Sequence, residues 1–431
     1  MSCALTVWYE RGNGCGDGDE GVEETVTGNS FFSVEKVPEA RSGGATQAET
    51  RVYNERLVVS LIRRHGELSK VDLTRLTGLA PQTITTIVNR AADGELLVRR
   101  EPLRGRLGQP SIPYALNPAA AYAFGVKIGH RSADLALIDF VGNVIALEQT
   151  TFDYPMPADI MDFARGATSR ILRRNKAVPA HRVAGLGIAS PFYQLQWDDD
   201  IGAPASRFDA WRRIDIRAGL DEAFDWPVYL FNDATVAAGA ELMFGAGLGR
   251  PDFLYVHIGH HIGAGLVLDH HLFPGRNKLV GAIGDLRVCI GDGSQLRFAA
   301  LKEAASLRRL EESLPKRQRD RIWSSPDDWG DLGASVTAWV EEVAEGLAQL
   351  ISAAVALLDV DNVVIDGAFP SAVRREIAKA TRRKLAFVLL GRPETFSVME
   401  GTFGHLGPVI GGASIPLLVR YSNDKDLLFK D

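Results

Sequence analysis

The chain has 431 residues, 46% hydrophobic and 24% charged, which is ordinary for a globular protein and excludes a wholly disordered one. At about 150 residues per domain, this length predicts about three domains. The formal net charge of −6 is unevenly spread, because residues 51–120 hold eleven Lys and Arg against six Asp and Glu. This local excess of five positive charges leaves −11 elsewhere and predicts that only one segment meets a polyanion. A solvated charged face is the alternative.

The termini and cysteines limit the class of protein. Cys3, Cys15 and Cys289 are too few for a four-cysteine zinc site and imply no disulfide framework. No basic segment followed by an apolar run marks a secretory signal, and the apolar stretch LISAAVALL is too short to cross a bilayer, so we expect a cytoplasmic protein. Residues 1–48 are Gly-rich and acidic, which predicts a disordered tail, or an extension upstream of the true start.

The basic segment predicts three short helices. NERLVVSLIRRHG ends at Gly66. SKVDLTRLTG begins with Ser69, a good N-cap, and stops at Gly78. The third helix has Pro81 at a favourable first position and ends at Gly94. Three helices with a Gly-containing turn between the second and third indicate a helix-turn-helix.

The third helix is predicted to have a buried face and a reading face. Its apolar positions follow i, i+3, i+4, i+7 and are Ile84, Ile87, Val88 and Ala91. The other side carries polar groups suited to base edges or phosphates in a major groove. The predicted DNA-contacting residues on this helix are Gln82, Thr83, Thr86, Asn89 and Arg90.

Two strand-like runs, LLVRR and SIPYAL, follow this helix. The hairpin between them predicts a wing whose Arg104 and Arg106 reach phosphates or the minor groove. Similar triplets of helices are common in proteins that never touch DNA, which is the alternative. The predicted DNA-binding domain spans residues 49–118.

A second domain is predicted for residues 119–431. AYAFGVKIG, SADLALIDF and VIALEQTTF are strand patterns, and VYLFNDATVAAGAELMFG runs from strand into helix. FLYVHIGHHIGAGLVLDHHLF repeats the succession of strand, Gly turn and strand found in residues 121–145. This recurrence predicts two similar α/β lobes, divided near residue 234, with a cleft between them.

From about Asn54 onward the chain resembles the ROK family of repressors, open reading frames and sugar kinases. The resemblance is carried by LSKVDLTRLTGLAPQTITTIV, GRLGQP, FGVKIGHRSADLALIDFVGNVI, GLGIASP, FNDATVAAGAELMFGAG, HIGHHIGAGLVL, GAIGD and LGPVIGGASIPL. It implies an α/β protein with an N-terminal winged helix-turn-helix and a two-lobed, actin-like, sugar-kinase-like domain that senses a ligand and dimerises. It also implies a DNA-binding transcriptional regulator, a repressor of carbohydrate uptake or metabolism genes.

The chain departs from the family's kinases at both phosphate loops. Where those kinases have Asp followed by Gly-Gly-Thr-Lys, this chain runs from Lys127 through His130 to Ser132. In the second loop, Gly-Thr-Gly-x-Gly-x-Gly, His260 and His261 replace Thr and Gly. A Cβ and an imidazole there obstruct the approach of phosphate to backbone N–H groups. The expectation is therefore no enzyme activity; the alternative is an active ATP-dependent sugar kinase with an appended DNA-binding domain.

The resemblance also implies a ligand site. The family's zinc motif is missing, and its sugar motif Gly-Glu-Ile-Gly-His is here GAIGD. Asn232 and Asp233 match the family's sugar-holding Asn and general base; a helix N-cap is the alternative, and the two roles can coexist. A sugar or sugar-derived effector is expected in the interlobe cleft, with no catalytic residue and no cofactor. Its expected ligand-binding residues are Ser190, Asn232, Asp233, His261 and Asp285.

Five histidines crowd a short segment: His257, His260, His261, His270 and His271. Zinc or nickel could use such ligands. Because side chains in a hairpin alternate between faces, adjacent histidines are expected not to converge on one ion, so no metal site is predicted. The expected macromolecular partner is double-stranded operator DNA, bound by a homodimer or a dimer of dimers, and no membrane is expected.

Overall fold

The computed structural model describes residues 47–102, 111–191, 209–291, 296–388 and 396–423, apart from positions 212 and 331. The predicted disordered tail lies outside these residues except at its end. Helix α1 spans Gln47–His65 and so begins two residues before the predicted end of the tail. Residues 47–53 are exposed, so the first two turns of α1 lack the periodic apolar residues from which a helix is predicted.

The other N-terminal elements follow the predicted order. Helix α2 is Lys70–Thr77 and α3 is Pro81–Asp93. The strands are β1, β2 and β3, at Glu67–Ser69, Leu97–Arg99 and Pro113–Leu116. They form an antiparallel sheet of order β1-β3-β2. Three helices packed on a small sheet are the arrangement of a winged helix-turn-helix.

Local signals fix the ends of these helices. Ser69 and Asp72 form a capping box, in which the Ser69 hydroxyl accepts from the Asp72 N–H at 3.2 Å and Asp72 accepts from the Ser69 N–H at 3.2 Å. Gly78 follows α2 with a φ of 69°, a left-handed conformation that glycine adopts without strain. Pro81 occupies the start of α3. The predicted boundaries at these three points are confirmed.

The first lobe contains a five-stranded sheet of order β6-β5-β4-β7-β8. Its strands are β4 Tyr122–Ile128, β5 Ser132–Asp139, β6 Val144–Thr151, β7 Val183–Ser190 and β8 Val228–Asn232. The first three are antiparallel, whereas β7 and β8 run parallel to β4. Helices α4 (Pro157–Arg174) and α5 (Ile216–Asp221) cover one face, and α6 (Asp233–Phe244) follows β8 directly.

The second lobe repeats this topology with the order β11-β10-β9-β14-β15. Its strands are β9 Phe253–Ile258, β10 Ile262–Leu268, β11 His271–Leu272, β14 Asn362–Gly367 and β15 Ser397–Glu400. The first three are again antiparallel, and β14 and β15 run parallel to β9. Two sheets of the same strand order confirm the prediction of two similar α/β lobes.

Further elements complete the second lobe. Strands β12 (Arg287–Ile290) and β13 (Arg297–Ala300) form a separate hairpin. The remaining helices are α7 Leu301–Ala304, α8 Leu307–Ser313, α9 Lys316–Arg319, α10 Arg321–Ser324, α11 Gly333–Leu358 and α12 Ser371–Val388. No helix in the described part of the chain is long and apolar enough to span a membrane.

Helix α13, Gly407–Tyr421, packs against the first-lobe sheet and against α6. The contact is close enough to require glycine. A Cβ at Gly125 of β4 would lie 2.1 Å from the Val409 carbonyl oxygen, and one at Gly187 of β7 would lie 1.9 Å from that of Gly412. The C-terminal helix is thereby fixed against both β4 and β7.

The N-terminal unit, formed by α1–α3 and β1–β3, contacts the first lobe through Arg63 of α1. Its guanidinium donates to the Phe140 carbonyl oxygen at 2.8 Å and lies 4.8 Å from the centre of the Phe140 ring and 5.3 Å from that of Phe244. Burial lowers the pKa of Arg63 to about 10, and nearby Asp139 opposes that shift. Arg63 therefore stays charged at neutral pH, and α1 meets the first lobe through a buried cation.

Candidate DNA-binding face and ligand cleft

Helix α3 divides into the two predicted faces. Ile84, Ile87, Val88 and Ala91 are buried, together with Val58 and Ile62 of α1 and Leu73 of α2, among other residues of the same core. Of the predicted contact residues of α3, Gln82, Thr83, Thr86, Asn89 and Arg90, all five are exposed. Their placement on one helix is confirmed, while their contact with DNA stays a prediction. Arg104 and Arg106 lie outside the described residues.

Hydrogen bonds on this face refine the roles of its residues. Lys70 of α2 donates to Asn89 Oδ1 at 2.9 Å, so the Lys70 ammonium belongs to the same surface. Sequence spacing could not reveal this pair, because 19 positions separate the two residues. Arg90 donates to Glu55 of α1 at 2.5 Å, an exposed ion pair that braces α3 on α1. This bond engages one of the guanidinium nitrogens of Arg90, whose side chain is otherwise half exposed.

The predicted ligand residues Ser190 and Asn232 lie at the carboxyl ends of two parallel strands, β7 and β8. Ser190 and Asn232 are register partners at those ends, and both are buried. Asn232 Oδ1 accepts from the N–H groups of Ala234 and Thr235 at 3.0 and 3.2 Å, so it caps α6. Its amide donates to the Ser190 carbonyl at 3.4 Å and to Asp233 at 3.0 Å. The N-cap alternative for Asn232 is confirmed and leaves a ligand role open.

Asp233 is a half-buried carboxylate at the N-terminus of α6. Its Oδ1 accepts from the Ala234 N–H at 2.7 Å. Burial raises the pKa of Asp233, and the Ala234 hydrogen bond together with the nearby Lys127 and His261 opposes that rise. Such a carboxylate can accept hydrogen bonds from ligand hydroxyl groups.

Lys127 stands where the resemblance places an acid. Its Nζ lies 3.5 Å from Asp134 Oδ2, on the adjacent strand β5 at the paired register position. Asp134 is buried and also accepts from Gln149 at 2.6 Å. The Lys127 ammonium is therefore held by an ion pair with a buried carboxylate.

The two glycine turns carry histidines instead of an open phosphate loop. His130 lies in the β4–β5 turn, and its ring stacks on His260 of the β9–β10 turn with centroids 4.1 Å apart. His261 meets His130 edge-on at 5.3 Å. Strand alternation does not separate His260 from His261, because both residues lie in the turn between strands. Sequence reasoning therefore missed this cluster.

Two glycines of β10, the strand that follows the second turn, serve packing. A Cβ at Gly263 would lie 3.0 Å from the Ala234 Cβ, and one at Gly265 would lie 2.5 Å from the Ala238 Cβ. Both neighbours belong to α6. The glycine spacing of this loop thus allows α6 to lie against β10, a requirement independent of any nucleotide.

Asp285 occupies a different setting from the other predicted ligand residues. It is exposed, and its Oδ1 lies 2.8 Å from Lys302 Nζ. The segment that carries it is attached to β10 by a hydrogen bond from the Ala264 N–H to the Gly281 carbonyl at 2.9 Å. Hydrogen bonds join Asn232 to Ser190 and Asp233, and His261 is near enough to Asp233 to affect its pKa, whereas the Asp285 carboxylate pairs with Lys302.

Comparison with known proteins places these features in a family. The sequence pattern of the ROK family matches residues 123–417. A xylose repressor of Bacillus spizizenii is 24% identical over 244 residues, which is 57% of this chain and 62% of that protein. The DNA-binding transcriptional repressor Mlc of Escherichia coli is 25% identical over 236 residues, 54% of this chain and 58% of that protein. The chain thus matches about three fifths of the length of these relatives.

A solved structure supports the same fold. The crystal structure of a ROK family transcriptional regulator, a homologue of the E. coli MLC protein, superposes with a TM-score of 0.61 at 18% identity. The superposition covers 88% of this chain and 98% of that one. The mixed α/β, sugar-kinase-like fold, preceded by an N-terminal unit of three helices and a small sheet, is confirmed.

Proposed function

This chain belongs to the ROK family, and on that premise we propose that it is a DNA-binding transcriptional repressor of carbohydrate uptake or metabolism genes. The observation that carries the proposal is the exposed polar row on α3 from Gln82 to Asn89, opposite a fully packed apolar face. A helix in this position enters the major groove in proteins of this architecture. The xylose repressor and the repressor Mlc, which the chain matches in sequence, favour the same function.

The proposed effector is a sugar or sugar derivative bound in the cleft. Asn232 and Asp233 supply an amide and a carboxylate at the ends of β7 and β8, which suits hydroxyl groups. The effector acts by binding one arrangement of the lobes more tightly than the other. Arg63 transmits that change to α1, since it is held by Phe140 of the first lobe.

The proposal includes dimerisation and loss of kinase activity. Two copies would place two α3 helices on half-sites of a pseudo-palindrome about one or two helical turns apart. Lys127, His130, His260 and His261 stand at the positions where the family's kinases hold magnesium and phosphate, and they offer no acidic ligand there.

Binding to DNA tests the proposal directly. Fluorescence anisotropy with duplexes from the protein's own genome, at low and moderate ionic strength, should give a sequence-dependent affinity that falls with salt. A quadruple variant with Ala at Gln82, Thr83, Thr86 and Asn89 should keep its fold and lose the sequence preference. Equal binding of all duplexes by both proteins would reject the proposal.

The second candidate is an ATP-dependent sugar kinase, and one observation favours it. Asp233 is a carboxylate of raised pKa at the cleft, the kind of group that serves as a general base. Incubation with ATP, Mg²⁺ and a panel of hexoses decides between the two. Formation of sugar phosphate by the parent protein but not by Asp233→Ala would establish the kinase. If the parent forms no sugar phosphate, Asp233 remains a binding residue.

A further inference from the structure

Three imidazoles from the two lobes meet at the cleft. His130 comes from the first lobe, and His260 and His261 come from the second. Each offers one ring nitrogen, and these three nitrogens all lie within 4.8 Å of one another. The ring centroids are 4.1, 4.8 and 5.3 Å apart. This convergence brings together residues from distant parts of the chain, and packing of apolar side chains does not require it.

The arrangement fits the coordination of a single ion. A tetrahedral zinc ion holds His nitrogens at about 2.0–2.1 Å, so two such nitrogens are about 3.3 Å apart. We expect side-chain rotations to bring the three nitrogens, which lie within 4.8 Å of one another, to that spacing. His260 and His261 are adjacent turn residues, and the rings of both contact that of His130.

Charges around the cluster are mixed. Lys127 and Arg131 oppose a cation. Asp134, 3.5 Å from Lys127 Nζ, offsets the first of these charges, and the carboxylate of Asp233 is close enough to His261 to be affected by it. The positive and negative charges around the three histidines are thus nearly equal in number, which is compatible with a divalent cation.

We propose that His130, His260 and His261 form a binding site for a divalent transition-metal ion of the zinc type, and that the bound ion links the two lobes across the cleft. Three protein nitrogens leave a fourth position for water or a ligand oxygen. The ion would hold the cleft in one arrangement because its ligands come from both sheets. This site differs from the family's cysteine motif, which the chain lacks, and it does not depend on DNA binding.

Metal titration of the full chain, without a polyhistidine tag and after removal of metal by chelation, tests the site. Zn²⁺ is followed by calorimetry, and Co²⁺ by its visible and near-ultraviolet absorption. A nitrogen site lacks the near-ultraviolet sulfur charge-transfer band that Cys3, Cys15 or Cys289 would give. We expect one ion per chain, and a smaller radius of gyration by X-ray scattering once Zn²⁺ is bound. His130→Gln, His260→Ala and His261→Ala should each weaken binding at least about tenfold, since each removes one of three ligands.

The exposed His181 of the first lobe provides the control, and His181→Ala should bind like the parent protein. Circular dichroism of the metal-free variants reports whether they fold. If His130→Gln unfolds, the double variant His260→Ala/His261→Ala carries the test, because both positions lie in a turn. Binding that survives these changes, or a stoichiometric site with sulfur absorption, would overturn the proposal. Binding without change in the scattering radius would overturn the link between lobes.

Discussion

At the residue scale, the side chains of α3 have distinct roles. Gln82 is exposed near the start of α3, so its side-chain amide is accessible to an outside partner. Asn89 shares its Oδ1 with Lys70. Base specificity is therefore expected to depend most on Gln82, with Asn89 and Lys70 acting as a pair.

Gln82→Ala should change sequence preference. A side-chain amide that reads a base contributes about 1–3 kcal/mol of discrimination, so the variant should lose that much affinity for the preferred duplex and little for random DNA. Competition anisotropy with the two duplexes measures the difference. Equal losses on both duplexes would assign Gln82 to nonspecific binding.

Arg104 is predicted to contact phosphate from the wing. Arg104→Ala should weaken binding to all sequences, and the slope of log affinity against log salt should flatten by about one unit. Lys176→Ala, an exposed cation of the first lobe, is the matched control and should leave the slope unchanged. A parent-like slope in the Arg104 variant would remove this residue from the interface.

Glu241 of α6 predicts a pH dependence of stability. It is fully buried and accepts from the N–H groups of Ala246 and Thr402 at 2.6 and 2.5 Å. Burial and the nearby Asp366 raise its pKa from 4.5 to about 7. Between pH 4.5 and about 7, Glu241 is therefore protonated in the folded state and ionised in the unfolded state. The contribution of this proton to the free energy of unfolding is complete below about pH 4.5 and is lost as the pH rises through about 7.

We expect the stability advantage of the parent over Glu241→Gln to shrink from pH 5 to pH 8, with a slope of up to about 1.4 kcal/mol per pH unit. Urea unfolding at the two pH values measures it. Glu376→Gln, at an exposed position of α12, is the control, and its difference in unfolding free energy from the parent should be the same at both pH values. Parallel pH profiles for the Glu241 variant and the parent would mean that Glu241 is ionised throughout.

At the element scale, the seat of α1 on the first lobe depends on Arg63. Arg63→Met keeps the aliphatic part and removes a hydrogen bond and two ring contacts, each worth about 1 kcal/mol. We expect the N-terminal unit to unfold at a lower temperature than the body by calorimetry, where the parent unfolds as one. Arg51→Met, at an exposed position of α1, is the control. A single transition in the Arg63 variant would place the coupling elsewhere.

Sequence predicted elements where local chemistry determines them. The ends of α2 and α3 follow from Ser69, Gly78 and Pro81, and the buried face of α3 follows from its period. The exposed start of α1 was missed because no burial pattern marks it. The stacking of His130 on His260 was also missed, since it arises only when the two sheets are packed together.

At the scale of the whole molecule, two lobes of the same strand order meet through polar side chains, because His130 of the first lobe stacks on His260 of the second. The family resemblance predicted ligand contacts from Ser190, Asn232, Asp233, His261 and Asp285. The structure adds the pairing of Lys127 with Asp134 and the stacking of His130 on His260. The two lobes have a kinase-like fold, with histidines in the turns that correspond to the phosphate loops of the family's kinases. Helix α1 joins them to the N-terminal unit, in which α3 presents an exposed polar face.

Selection of duplexes from a random DNA library by the full-length protein is the most direct test of sequence-specific DNA binding. We expect enrichment of a pseudo-palindrome whose half-sites are about one or two helical turns apart, and loss of that enrichment in the quadruple α3 variant. Enrichment of sequences without dyad symmetry would contradict the proposed dimer but not sequence-specific binding. No enrichment over the α3 variant at low ionic strength would contradict the central claim, that α3 reads an operator.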